Sequence, residues 1–209
     1  MSRATEPICL EFVVIPMKPL IYSSPYAWIF WIVFTLVYLP EFGLVMHSRP
    51  QKGESTDRGS LLVIMISGWI GYPIAFSLAG SKHFHLSHER FWFFLGLGLL
   101  VSGSLLRRYC WRVLGQFFTG NVRIHEGQSV IQQGPYRLVR HPSYTGGMLM
   151  HTGCGLALAN WMGALVLLVT AGLGYLYRVN VEEKALVNGL GEEYREYMQR
   201  TKRFVPYVV

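Results

Sequence analysis

The stretch HPSYTGGMLMHTGCGLALANWMGALVLLVTAGLGYLYR, residues 141–178, contains two apolar segments, at about 143–159 and 162–178. Only Asn160 and Trp161 separate them. The bilayer interior offers no water to the backbone, so an apolar segment that crosses it must bond its own polar groups as a helix. A connection this short makes consecutive helices antiparallel neighbours. The sequence therefore predicts a helical hairpin whose two free ends lie on the same side of a membrane.

Three further apolar segments, at about 26–46, 60–80 and 91–106, bring the number of predicted spans to five. The composition agrees, because 51% of the residues are hydrophobic and 15% are charged, whereas soluble domains carry about 25% charged residues. We predict an all-α polytopic membrane protein with five transmembrane helices, formed by residues 1–209 as a single domain. Pro40 and Glu41 interrupt the first span, which we interpret as a kink facing a partner helix, with a functional carboxylate as the alternative.

The basic residues are distributed unequally between the two predicted sides of the membrane. Of the 19 Lys and Arg residues, 15 fall in the 47–59 loop, the 107–142 loop and the tail from Arg178 onward. Cytoplasmic loops carry the excess of positive charge in membrane proteins. The sequence therefore predicts an N-terminus outside the cell, a cytoplasmic C-terminus and a cytoplasmic 107–142 loop.

The free ends of the hairpin gather several polar side chains at one depth. Ser143 and Arg178 are equally far from the turn, and each residue of a helix rises about 1.5 Å. The same layer holds Arg140, His141, Tyr144, Arg178 and Glu182. A belt of interfacial anchors with a surface ion pair is the alternative to a site here. The His141–Pro142 step at the start of a helix, followed by Gly146 and Gly147, favours the site.

Other functional classes receive less support. The net charge of +7 comes from basic residues that flank apolar segments rather than from a separate arm, so nucleic acid is not expected as a partner. Cys9, Cys110 and Cys154 have no CxxC spacing and are expected to be inert thiols. The histidine-rich 82–89 segment is interpreted as an ordinary polar loop rather than a metal site. No metal is expected, and no strand–GxGxxG–helix unit is present for a dinucleotide.

Two motifs resemble those of a known family. GPYRLVRHPSYTGG (134–147), followed by RVNVEEKALVNGLGEEYREYMQRTKRFVP (178–206), resembles the isoprenylcysteine carboxyl methyltransferase family, including its short prokaryotic members. The resemblance is strongest over residues 113–209. It implies an integral membrane methyltransferase that uses S-adenosyl-L-methionine, releases S-adenosylhomocysteine and acts on a lipophilic or lipidated substrate that enters from membrane lipid. It also implies a C-terminal cofactor pocket that opens to the cytoplasm.

The resemblance also implies roles for particular residues. Arg178 corresponds to the arginine that binds the substrate, and Arg178 and Glu182 are the expected catalytic residues. Gln128 stands where the family commonly has histidine, so this contact is expected to be an uncharged hydrogen bond. The residues implied in cofactor binding are Gln128, Ser129, Val130, Ile131, Tyr136, His141, Pro142, Ser143, Tyr144 and Glu182.

These assignments favour carboxyl O-methylation. An ionised carboxylate needs alignment and loss of water rather than a base, and a planar guanidinium such as that of Arg178 binds it through two hydrogen bonds. His141 is expected to donate a hydrogen bond rather than act as a base. Three alternatives remain open: a phospholipid or other amine N-methyltransferase, a sterol-reductase-like enzyme using NADPH, and a membrane protein without enzymatic activity.

Overall fold

The computed structural model describes residues 18–47, 59–118 and 128–206. Those residues form six α-helices and no β-strand: α1 (Tyr26–His47), α2 (Ser60–Leu78), α3 (Glu89–Leu114), α4 (Pro142–Ala157), α5 (Trp161–Leu190) and α6 (Glu192–Arg200). The all-α prediction is confirmed for this part of the chain. The predictions for the first 17 residues, including Cys9, lie outside the described residues. The same holds for the basic residues of the 47–59 loop.

Four of the helices are long and apolar enough to cross a membrane, over Tyr26–Gly43, Ser60–Leu78, Glu89–Phe117 and Trp161–Leu190. The chain is thus an integral membrane protein. Helix α4, which corresponds to the predicted fourth span, has 16 residues. At 1.5 Å per residue it is about 24 Å long, which is shorter than the roughly 30 Å of a hydrocarbon core. The count of five spans and the orientation of the termini stay predictions.

Helix α5 continues well beyond the predicted span, which ends at residue 178. It has 30 residues and ends at Leu190, which makes it about 45 Å long. Arg178, Glu182 and Glu183 therefore lie on one continuous helix, in agreement with the predicted shared helix face of Arg178 and Glu182. The helix outlasts the apolar segment because the hydrogen bonds of a helix continue through charged residues.

The predicted hairpin is present, with a slightly different turn. Trp161 is the first residue of α5 rather than part of the connection. Asn160 caps that helix, because its Oδ1 accepts a hydrogen bond from the Gly163 N–H at 2.8 Å, and its Nδ2 donates to the Leu78 carbonyl at 2.7 Å. Capping asparagines satisfy donors that a helix start leaves open. The turn of the hairpin is thereby attached to the end of α2.

Helices α3 and α4 pack with their backbones in contact. A Cβ added to Gly96 would lie 2.3 Å from the Ala157 nitrogen, and one added to Gly153 would lie 2.6 Å from the Gly96 oxygen. Small residues allow such close approach between helices in a membrane, where lipid provides no hydrophobic drive for association. This contact holds α4 firmly against α3 although α4 is short.

Helix α1 is attached to α3 on both sides of Pro40. The helix continues through the proline, but a proline has no N–H to offer the carbonyl four residues earlier. The Arg108 Nη2 donates to that carbonyl, on Leu36, at 2.8 Å. Glu41 accepts hydrogen bonds from Arg107. The prediction that Glu41 faces a partner helix is confirmed, and the partner is α3.

Replacing Arg108 with Met tests the attachment at Leu36. The substitution keeps an unbranched side chain about as long as the aliphatic part of arginine and removes the donor, so the Leu36 carbonyl is left without this partner in an apolar setting, at a cost of about 1–3 kcal/mol. We expect a lower Tm for the detergent-purified protein. Arg112→Met, at an exposed position one turn further on, is the matched control. Equal Tm changes for the two variants would contradict the prediction.

Candidate active site

A cavity lies where the free ends of the hairpin meet the end of α3 and helix α6. It holds about 940 Å³ of space free of protein atoms, part of which is open to solvent. Arg178 and nine of the ten residues predicted for cofactor binding line it, and Pro142 alone does not, because its side chain is fully buried. The nine are Gln128, Ser129, Val130, Ile131, Tyr136, His141, Ser143, Tyr144 and Glu182.

The Tyr144 hydroxyl joins the two residues predicted to be catalytic. It accepts a hydrogen bond from the Arg178 Nε at 3.0 Å and donates to the Glu182 Oε2 at 2.7 Å. The i,i+4 spacing of Arg178 and Glu182 places them on one face of α5, and the structure adds Tyr144 as a bridge between them. The three side chains form one connected wall of the cavity.

Arg178 is also held from the opposite side of the bundle. Its Nη1 donates to the Ser60 Oγ at 3.0 Å, and both side chains are buried, with 4% of Arg178 and none of Ser60 exposed. Ser60 is the first residue of α2. Sequence reasoning missed it, because the two residues are 118 positions apart and a serine at a helix start is ordinarily only a cap.

Glu183 is the second residue that sequence reasoning missed. Its carboxylate is 4% exposed and accepts from Arg140 Nε at 2.9 Å and from Arg203 at 3.0 and 2.6 Å. The His141 Nε2 lies 3.2 Å from it. An ionised carboxylate only accepts, so the His141 Nε2 carries the proton that donates to Glu183. His141 is thus a hydrogen-bond donor, as predicted, with a neighbouring side chain as its partner.

The segment after α6 closes over the start of α4. The Arg140 and His141 backbone N–H groups donate to the carbonyls of Lys202 and Arg203 at 2.8 and 2.9 Å, and the Thr145 Oγ1 donates to the Phe204 carbonyl at 2.8 Å. The Arg140 guanidinium bonds the carbonyls of Met198 and Thr201. Arg140 is therefore a structural residue of this wall.

Tyrosines from α6 and from the segment before α4 complete the cavity. Burial raises the pKa of Tyr136 and Tyr194 far above the usual range and raises the pKa of Tyr197 to about 12. All three are neutral phenols at physiological pH. Tyr197 uses its hydroxyl to donate to the Tyr136 carbonyl at 2.6 Å, which attaches α6 to the far side of the cavity.

Comparison with known proteins shows which family the chain resembles. A family model described as phospholipid methyltransferase matches residues 91–193. A probable protein-S-isoprenylcysteine O-methyltransferase of Oryza sativa subsp. indica is 26% identical over 191 residues, which cover 87% of this chain and 96% of the relative. The chain is similar to isoprenylcysteine carboxyl methyltransferases over most of its length. It is a membrane methyltransferase.

A second relative and a solved structure support the same resemblance. Protein-S-isoprenylcysteine O-methyltransferase B of Arabidopsis thaliana is 31% identical over 115 residues, covering 54% of this chain and 58% of the relative. The solved structure of a eukaryotic intramembrane Ras methyltransferase, an isoprenylcysteine carboxyl methyltransferase, has a TM-score of 0.64, with 20% identity over 94% of this chain and 70% of that one. That likeness concerns the fold.

The histidine-rich 82–89 loop and the buried cysteines do not line the cavity. The His85 Nε2 pairs with the Glu89 Oε1 at 3.3 Å, as expected of a polar loop. Within the described ranges no group of three His, Cys, Asp or Glu residues is arranged to hold a metal ion. Cys110 and Cys154 are both buried free thiols.

Replacing Glu183 with Gln tests the buried carboxylate. The variant leaves the charges of Arg140 and Arg203 without their shared counter-ion, and breaking a buried pair costs about 3–5 kcal/mol. We expect a clearly lower Tm and faster trypsin cleavage after Lys202 and Arg203. Glu192→Gln is the matched control, because the Glu192 side chain is 75% exposed beside Arg195. If both variants unfolded at the same temperature, the role of Glu183 would be refuted.

Proposed function

We propose that the protein transfers a methyl group from S-adenosyl-L-methionine to the carboxylate of a lipophilic substrate at the cytoplasmic face of the membrane. The observation that carries this proposal is the position of Arg178, a buried arginine in the cavity wall beside the His141–Tyr144 turn. The relatives named above act on isoprenylcysteine, and this supports a prenylated cysteine or a similar lipidated acceptor.

The lining of the cavity suits the cofactor. Glu182 offers a carboxylate to the ammonium group of the cofactor. Its adenine can stack on the aromatic rings of Phe117, Phe118 and Tyr194. The Tyr144 ring is less suited to stack on the adenine, because it already stacks on His141 and Tyr175 at centroid distances of 5.7 and 5.1 Å. Its part in the site is then the hydroxyl bridge to Arg178 and Glu182.

The bound cofactor would supply an electrophilic methyl group on a sulfonium. The residues of the chain provide position and charge. Arg178, fixed by Tyr144 and Ser60, binds the acceptor carboxylate in a geometry that costs little to form, and preorganised positioning of this kind lowers barriers by up to about 7–11 kcal/mol. No proton has to leave the nucleophile, so His141 can remain bonded to Glu183 throughout.

A second candidate is the N-methylation of a phospholipid amine. The description of the matching family model favours it, and Arg178 would then contact a lipid phosphate. An amine must be neutral to attack, so this reaction requires a proton acceptor that carboxyl methylation does not. The methyltransferase relatives, on the other hand, disfavour both a reductase and a protein without enzymatic activity.

A product assay separates the two methylations. Purified protein in detergent is given methyl-labelled S-adenosyl-L-methionine with either a prenylcysteine analogue or phosphatidylethanolamine. We expect label in the prenylcysteine analogue, released as volatile methanol by mild base, because a methyl ester hydrolyses and an N-methyl group does not. Base-stable label in the phospholipid alone would establish the second candidate. A heat-inactivated sample serves as the control.

Substitution of Arg178 by Lys tests its role in substrate binding. Lysine keeps the charge but cannot present a planar pair of donors, so we expect kcat/KM for the acceptor to fall about 10- to 100-fold. The affinity for S-adenosylhomocysteine should change far less. Arg137→Lys, an exposed position before the same turn, is the control. Full acceptor turnover by Arg178→Lys would show that the guanidinium does not bind the carboxylate.

A further inference from the structure

An ion pair between α1 and α3 lies next to the cavity without lining it. Arg107 donates to the two oxygens of Glu41, from Nε to Oε1 at 2.8 Å and from Nη2 to Oε2 at 2.6 Å. The two side chains are mostly buried, with 13% and 18% exposed. Such a two-point contact fixes the plane of a guanidinium, because both groups are flat and their atoms must match.

The third nitrogen of Arg107 reaches the helix that carries the site. Its Nη1 donates to the Ser143 carbonyl at 3.0 Å and to the Ser143 Oγ at 3.2 Å. Ser143 is the second residue of α4 and lines the cavity, and the next residue is Tyr144. One guanidinium therefore connects α1, α3 and the first turn of α4.

From this arrangement we propose that Glu41 and Arg107 are positioning residues for the cavity. The carboxylate holds the guanidinium in the orientation from which Nη1 bonds Ser143, and this contact sets the first turn of α4 that presents His141, Ser143 and Tyr144. The proposal rests on the function proposed above, since it concerns how the cofactor cavity keeps its shape. Glu41 thus acts from a helix none of whose described side chains lines the cavity.

The neighbouring arginine separates this role from simple attachment of helices. Arg108 also joins α3 to α1, through the Leu36 carbonyl at 2.8 Å. Arg108 donates to the Leu36 carbonyl on α1, whereas Arg107 bonds residues of both α1 and α4. If the Glu41–Arg107 pair served only to hold α1 against α3, then loss of either arginine contact would have the same kind of effect. If it positions α4, only the Arg107 contact affects ligand binding.

The experiment measures S-adenosylhomocysteine binding and Tm for the full chain purified in detergent. Glu41→Gln and Arg107→Lys weaken or remove the two-point contact with small changes in size, and Arg108→Met is the matched control. We expect the Kd to rise about 10-fold for the first two variants, in line with loss of one hydrogen bond to a charged group. Arg108→Met should lower the Tm and leave the Kd unchanged. An unchanged Kd in both Glu41→Gln and Arg107→Lys overturns the proposal.

A charge-swapped variant gives a second readout. Glu41→Arg combined with Arg107→Glu restores opposite charges between α1 and α3, but a carboxylate at position 107 cannot donate to the Ser143 carbonyl. We expect the swap to recover Tm relative to Arg107→Glu alone while the Kd stays high. Recovery of the Kd by the swap would show that the pair only joins helices. If the unaltered protein fails to bind S-adenosylhomocysteine, the cofactor assignment fails first, and this proposal fails with it.

Discussion

The cavity depends on the contacts of one buried carboxylate, that of Glu183. A carboxylate removed from water is costly unless charged donors surround it, and here Arg140, His141 and Arg203 provide them. Together with Glu183 on helix α5, these partners connect three parts of the chain, because Arg140 and His141 precede α4 and Arg203 follows α6. None of the three can move away without leaving a buried charge poorly compensated, so the cavity is built as one unit.

Helix α5 carries both the residues that face the cavity and the residue that holds the surrounding segments together. Residues four apart lie on the same face of a helix, and adjacent residues point about 100° apart. Arg178 and Glu182 therefore face Tyr144 together, while Glu183 turns toward Arg140 and Arg203. The face toward the cavity carries the groups assigned to chemistry, and the adjacent face carries the group that holds the surrounding chain.

Charged side chains elsewhere in the bundle are likewise bonded by partners on other helices. Arg107 and Arg108 lie on an apolar helix, where a cation needs partners, and both find them on α1 around Pro40. The proline leaves a carbonyl free and the following glutamate supplies a counter-ion, so an apparent interruption of the span becomes the attachment point for α3. The glycine contacts between α3 and α4 then hold α4, which lines the cavity, against the helix to which α1 is attached.

The sequence by itself determined the helical membrane class and which end of the hairpin gathers the residues of the cavity. Apolar length requires helices in lipid, and a constant rise per residue places His141 and Arg178 level on either side of a short turn. Neither prediction required knowledge of a contact between distant segments of the chain. Only the tertiary structure decided that Ser60 meets Arg178, that Glu183 is the buried carboxylate and that Glu41 bonds Arg107. Those contacts depend on how each helix is rotated about its axis and which helices become neighbours, and neither quantity follows from rise or hydropathy.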